Sequence, residues 1–219
     1  MAIVRKIENG KSTLFVLIHG QEGGKEDWLE KDGYSKGGNC SALLEQLGYS
    51  WLATDLYGHG DYKADESDFD CTEISDEYWE KFIDRSVAKI IHELDLVKDE
   101  FEDISIISYS AGGSVAVKLL EKNKIFPVKE IHMAAPIPDS ENDDEYSLHN
   151  NLNLFRDLKV YMYSGVYDEE VDHEEVECVF DEIESVKKRL NVYEAGHSLP
   201  FMWIKDLEIN LTEELSTTY

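Results

Sequence analysis

Three residues set far apart in the chain, Ser110, Asp168 and His197, have neighbours suited to nucleophilic chemistry. Ser110 lies in "ISYSAGG" (107–113), where a run of β-branched residues gives way to a helical pattern. A sharp strand-to-helix turn needs small neighbours because strand and helix converge there, and Ser108 stands two before the serine and Gly112 two after it. Such a turn lifts a hydroxyl above a sheet edge. It also brings the first amides of the helix, that of Ala111 foremost, beside any negative charge forming on a reacting carbonyl. A serine hydroxyl alone is a weak nucleophile; it needs a base within hydrogen-bond reach, and the base needs an orienting acid.

The base is expected on a loop at the same carboxyl-terminal edge of the sheet. "NVYEAGHSLP" (191–200) supplies His197 just after a strand-like run, with Gly196 before it. The acid is expected after the preceding strand, where "VYMYSGVYDEEV" (160–171) supplies Asp168, three residues past Gly165. Glu169, Glu170 and Asp172 lie close enough to be alternative acids, as does Asp139 after "MAAPIP". His173 is the alternative base, in a charged run that reads as the start of a helix.

"VLIHGQEGG" (16–24) ends another strand in His19-Gly20, and the amide of Gln21 is placed to complete an oxyanion hole with that of Ala111. "DLYGHGD" (55–61) is a second glycine turn, in which His59 is expected to be structural. His19, Gly20, Trp28, Tyr109 and Trp203 are candidates to line the pocket.

The elements that must position these residues alternate. Runs rich in Val, Ile, Tyr and Phe at 12–20, 49–56, 103–110, 128–136, 158–165 and 189–196 read as strands, mostly unbroken apolar as in strands covered on both faces. Segments 39–48, 76–100, 112–123, 176–189 and 201–215 carry apolar residues three and four apart and read as helices. This alternation predicts βαβ crossovers and a mainly parallel sheet within one domain, 1–219. "ENGK" (8–11) predicts an antiparallel hairpin between the opening segment and the first long strand.

The 219 residues are 42% hydrophobic and 31% charged, as expected of a folded globular chain. The net charge of −26 would repel phosphate backbones and anionic membranes, so no nucleic-acid partner is expected. No membrane insertion is expected either, since no run of about 18 apolar residues occurs. Cys40, Cys71 and Cys178 are odd in number and lack a C-x-x-C pair, and no signal-peptide pattern opens the chain; a cytoplasmic setting is expected. Acidic stretches at 61–77, 139–145 and 168–177 lack the glycine and glutamate spacing of a calcium loop, so no metal is expected.

Taken together, His19-Gly20 after one strand, Asp55-x-x-Gly58-x-Gly60 after the next, the Ser110 turn, Asp168 and then His197 resemble the α/β-hydrolase family over about residues 12–205. The resemblance implies a mainly parallel sheet flanked by helices. Ser108 departs from the family's G-x-S-x-G, standing in place of the first glycine. Only a short segment, 136–157, is available for a cap, so a minimal lid is expected. The expected activity is that of a serine hydrolase without cofactor, a carboxylesterase cleaving small neutral esters of short to medium acyl chain through an acyl-enzyme on Ser110. A thioesterase or amidase using the same triad, and a non-catalytic ligand-binding protein on the same fold, are the alternatives.

Overall fold

The computed structural model describes residues 2–7, 10–29, 39–64, 76–138 and 147–213. These residues form a seven-stranded sheet in the order β1-β3-β2-β4-β5-β6-β7. The strands are β1 (Ile3–Arg5), β2 (Thr13–Ile18), β3 (Ser50–Ala53), β4 (Asp103–Tyr109), β5 (Val128–Ala134), β6 (Lys159–Gly165) and β7 (Lys187–Tyr193). All pairings are parallel except β1 with β3. The helices are α1 (Cys40–Gln46), α2 (Asp76–Asp95), α3 (Gly112–Lys122), α4 (His173–Glu182) and α5 (Met202–Glu213).

Alternation along each strand builds two cores. Leu14, Val16, Ile104, Ile106, Ile131, Val160 and Met162 pack one face against Phe82, Val87, Ile90 and Leu94 of α2, Val115 and Leu119 of α3, and Val176 and Val179 of α4. Phe15, Leu17, Trp51, Ile107, Tyr109, Tyr161 and Tyr163 pack the other face against Leu43 and Leu44 of α1 and Trp203, Leu207 and Leu211 of α5. The central strands β2 and β4 are buried throughout, which explains their unbroken apolar reading.

Two expectations are corrected. The opening segment does form an antiparallel strand, but on β3 rather than β2 (Ile3 opposite Ala53, Arg5 opposite Trp51). β2 already lies between β3 and β4, each hydrogen-bonded to it in parallel, so it has no free edge for a hairpin partner. The helix expected over 176–189 starts earlier and stops sooner. Asp172 caps α4, its side chain accepting a hydrogen bond from the Glu174 amide at 2.8 Å, and Ile183 leaves the helix in an extended conformation. Residues 187–189 belong to β7, whose Lys187, Lys188 and Arg189 are exposed, a charged edge that discourages further strand pairing.

Between β5 and β6 the described part of the suggested cap segment carries a short 3-10 helix, His149–Phe155, with Phe155 buried in the core. No helix among the described residues is long and apolar enough to cross a membrane.

Candidate functional site

Ser110 follows β4 directly and takes a left-handed backbone (φ 48°), which costs energy for a residue bearing a Cβ. Two backbone hydrogen bonds hold it there. Its amide donates to the Ala134 carbonyl at 2.9 Å, and its carbonyl accepts from the Gly113 amide at 2.7 Å. The glycine that follows is required by close approach. A Cβ on Gly112 would come within 2.5 Å of the His19 carbonyl oxygen and 2.6 Å of that of Ile18. Gly20 is confined likewise, since a Cβ there would meet the Ser110 Cβ at 3.0 Å. The end of β2 is thereby packed onto the nucleophile turn.

The structure brings Ser110, Asp168 and His197 together. The His197 Nε2 lies 3.0 Å from Ser110 Oγ, and its Nδ1 lies 2.9 Å from Asp168 Oδ2. With the carboxylate as acceptor, the imidazole proton belongs on Nδ1, leaving Nε2 free to accept from the hydroxyl. Asp168 is itself fixed, its Oδ1 accepting from the amides of Glu170 (2.9 Å) and Val171 (3.0 Å), with its side chain 1% exposed. The three residues come from the turns after β4, β6 and β7, so the sheet edge is their common scaffold.

Ser110 and His197 open on a cavity of about 440 Å³. Gly20, Gln21 and Glu22 form one wall, Tyr109 and Ser110 the floor, and Ile137, Val171, Glu170 and His197 the remainder. Ala111 lies directly behind the serine at the start of α3, 1% exposed. Glu170, weighed as an alternative acid, lies on the other side of the imidazole, its Oε2 3.5 Å from Nε2. Asp172 is spent on capping α4, and the His173 Nδ1 lies 2.9 Å from the Ser164 hydroxyl. Asp139 is outside the described residues.

Three pocket candidates are not at the cavity. Trp28 is fully buried with Phe15, Leu17 and Leu44, and Trp203 is 1% exposed against Tyr109 and Tyr163. Large aromatic rings in a small fold gain more from the core than from a solvent-facing wall. His19 is fully buried behind the cavity wall, its Nδ1 donating to the Gly20 carbonyl (2.7 Å) and its Nε2 accepting from the Leu56 amide (3.0 Å). Burial disfavours its charged form and lowers its pKa to about 4. Gly20 and Tyr109 do line the cavity, as does Gln21.

Sequence reasoning missed what holds the Gly20–Glu22 wall. The Lys25 ammonium is ion-paired with Asp55, and both residues are buried, while Asp61 reaches the same ammonium at 2.9 Å. Burial alone would raise the Asp55 pKa, but hydrogen bonds from the Lys25 ammonium, the Lys25 amide and the Asp61 amide outweigh it and bring it down to about 2. Burial of Lys25 is likewise outweighed, and its pKa is raised. His59 accepts from the Glu22 amide at Nε2 (3.1 Å) and donates from Nδ1 to the Tyr57 carbonyl (2.9 Å), joining the same two loops. The repeated glycines of "DLYGHGD" were the available signal, since a side chain at Gly60 would strike the Asp55 carboxylate. Among the described residues no group of three or more His, Cys, Asp or Glu side chains is arranged to hold a metal ion.

No protein-family model and no curated protein matches the sequence. Solved structures do match the fold over almost the whole chain. Est1E from Butyrivibrio proteoclasticus, solved with ferulic acid bound, superposes with a TM-score of 0.70 at 15% identity, covering 99% of this chain and 96% of that one. A Bacillus cereus carboxylesterase gives 0.68 at 16%, covering 97% and 93%, and a Pyrococcus furiosus esterase gives 0.68 at 18%, covering 99% and 89%. With its strand order, its turns and these neighbours, the chain has the α/β-hydrolase fold.

Proposed function

We propose that the protein is a serine hydrolase of one domain, a carboxylic ester hydrolase that works through an acyl-enzyme on Ser110. The observation that carries this is the unbroken hydrogen-bonded path from Ser110 through His197 to Asp168, with Ser110 and His197 lining one cavity. In the first half-reaction Ser110 Oγ attacks the ester carbonyl carbon while its proton passes to His197 Nε2. Asp168 holds the imidazole in the required tautomer and stabilises the imidazolium. Collapse of the tetrahedral intermediate breaks the bond to the alcohol, which leaves with the proton from Nε2. Water then attacks the acyl-enzyme with Nε2 as base, releasing the acid and restoring Ser110.

The amides of Gln21 and Ala111 are assigned to the oxyanion. Gln21 borders the cavity and Ala111 is the N-cap residue directly before α3, where peptide dipoles favour negative charge. No cofactor takes part in these steps. The substrates are small neutral esters with short to medium acyl chains, in keeping with the cavity size and with the carboxylates of Glu22 and Glu170 at its wall, which disfavour anions. The unpaired cysteines Cys40 and Cys178 support a reducing, cytoplasmic setting.

The test is steady-state hydrolysis of matched esters, thioesters and amides. Ser110→Ala and His197→Ala are each expected to lower kcat by at least about three orders of magnitude while the protein stays folded. Thioester or amide turnover exceeding that of the esters would reassign the substrate class. Turnover that survives in folded Ser110→Ala would reject the mechanism.

A further inference from the structure

We propose that Tyr109 is a positioning residue that fastens the loop carrying His197 to the end of β4, directly before Ser110. The proposal rests on the hydrolase reading and extends it to how the base is held. Tyr109 is the last residue of β4 and is followed immediately by the nucleophile. Its side chain is 1% exposed, and its hydroxyl reaches the loop between β7 and α5. There it donates to the His197 carbonyl at 2.6 Å and accepts from the Leu199 amide at 3.3 Å. One hydroxyl thus bonds the backbone on either side of Ser198.

The ring strengthens the fastening. It meets the His197 imidazole edge to face, with centroids 5.9 Å apart at 85°, and it rests on Trp203 of α5 at 6.4 Å. The loop it holds is short and half exposed, with His197 and Gly196 partly accessible. Ser110 follows Tyr109 directly and is held by its own backbone hydrogen bonds to Ala134 and Gly113, so the two residues are fixed relative to each other. The distance from Ser110 Oγ to His197 Nε2, 3.0 Å, is therefore set through the Tyr109 hydroxyl as well as through the imidazole's own bonds. Phenylalanine would preserve the packing but supplies neither donor nor acceptor, leaving a carbonyl and an amide of the loop without this partner.

The experiment compares the wild type with Tyr109→Phe. Tyr193→Phe serves as control, because the Tyr193 hydroxyl also makes a 2.6 Å bond, but to the Asp206 carboxylate of α5 and not to the backbone of the loop carrying His197. Three quantities are measured: kcat and KM on one ester, the rate of fluorophosphonate labelling of Ser110, and hydrogen exchange at the Leu199 amide. A misplaced base costs on the order of 100-fold. Tyr109→Phe is expected to lower kcat and the labelling rate by about that factor, to leave KM within about threefold, and to speed exchange at Leu199, with Tyr193→Phe close to wild type. Wild-type kcat in Tyr109→Phe, or a loss confined to KM, would overturn the proposal. A wild type that neither labels nor turns over would reject the hydrolase reading instead. Exchange at Leu199 would then still decide the fastening: no increase in Tyr109→Phe would overturn it, and faster exchange would uphold it.

Discussion

His19 makes the stability of this fold sensitive to acid between about pH 6.5 and pH 4. The ring is fully buried and neutral, donating from Nδ1 to the Gly20 carbonyl and accepting at Nε2 from the Leu56 amide, a pattern the imidazolium cannot make because both its nitrogens are donors. Its pKa falls from an ordinary 6.5 to about 4 on folding, mainly through burial. Because the folded value is the lower one, the unfolded chain binds more protons between the two. The contribution is therefore fully present above pH 6.5 and is lost as the pH drops toward 4. At pH 5 linkage gives a loss of about 2 kcal/mol, and at pH 4 and below a loss approaching about 3 kcal/mol. The substitution to compare is His19→Gln, whose amide oxygen accepts from Leu56 and does not titrate. Urea unfolding at pH 8 and pH 5 is expected to show the wild type losing about 2 kcal/mol more than the variant, with equal denaturant slopes. Equal losses in the two proteins would refute the reasoning, and Asp55 would not confuse the result because its own titration lies near pH 2.

Other consequences follow from buried polar groups and tight packing. Ser108 is fully buried and its hydroxyl has no hydrogen-bond partner among the described residues, so Ser108→Ala is expected to stabilise the protein by about 1 kcal/mol, a rise of roughly 2–4 °C in Tm by calorimetry. Lys25→Met removes the cation from buried Asp55 and is expected to cost about 3–5 kcal/mol in denaturant unfolding; a loss below about 1 kcal/mol would mean that the pair contributes little. Gly112→Ala sets a methyl against the carbonyl oxygens of Ile18 and His19 and is expected to abolish soluble expression or to lower Tm by more than about 5 °C.

Much of this was legible from residue patterns. Ile104, Ile106 and Ile107 make 103–109 a buried strand by any reading, and the small residues around Ser110 specify the turn beyond it. Because Ser110, Asp168 and His197 each follow a separate strand of one parallel sheet, topology alone puts them at the same edge. What escaped was governed by contacts distant in sequence. Asn-Gly at 9–10 signals a turn but does not say which strand edge is free, and β1 pairs with β3 because β2 is occupied on both sides. Trp28 and Trp203 are near the candidate residues in sequence, yet their rings turn into the core, and side-chain direction in a loop or at a helix start carries no period to read. The Lys25–Asp55 pair joins residues thirty positions apart, and neither neighbourhood alone reveals the other. The acidic run at 168–177 hid two different roles, Asp168 bonded to His197 and Asp172 capping α4, which only geometry separates.

The central claim is that Ser110 is an activated nucleophile. The most direct measurement is reaction of the full-length wild type with a fluorophosphonate probe, followed by peptide mass spectrometry, alongside folded Ser110→Ala. The account predicts one covalent adduct, on the peptide containing Ser110, that is absent from the variant. No adduct on folded wild type, or an adduct that persists when Ser110 is alanine, would contradict it.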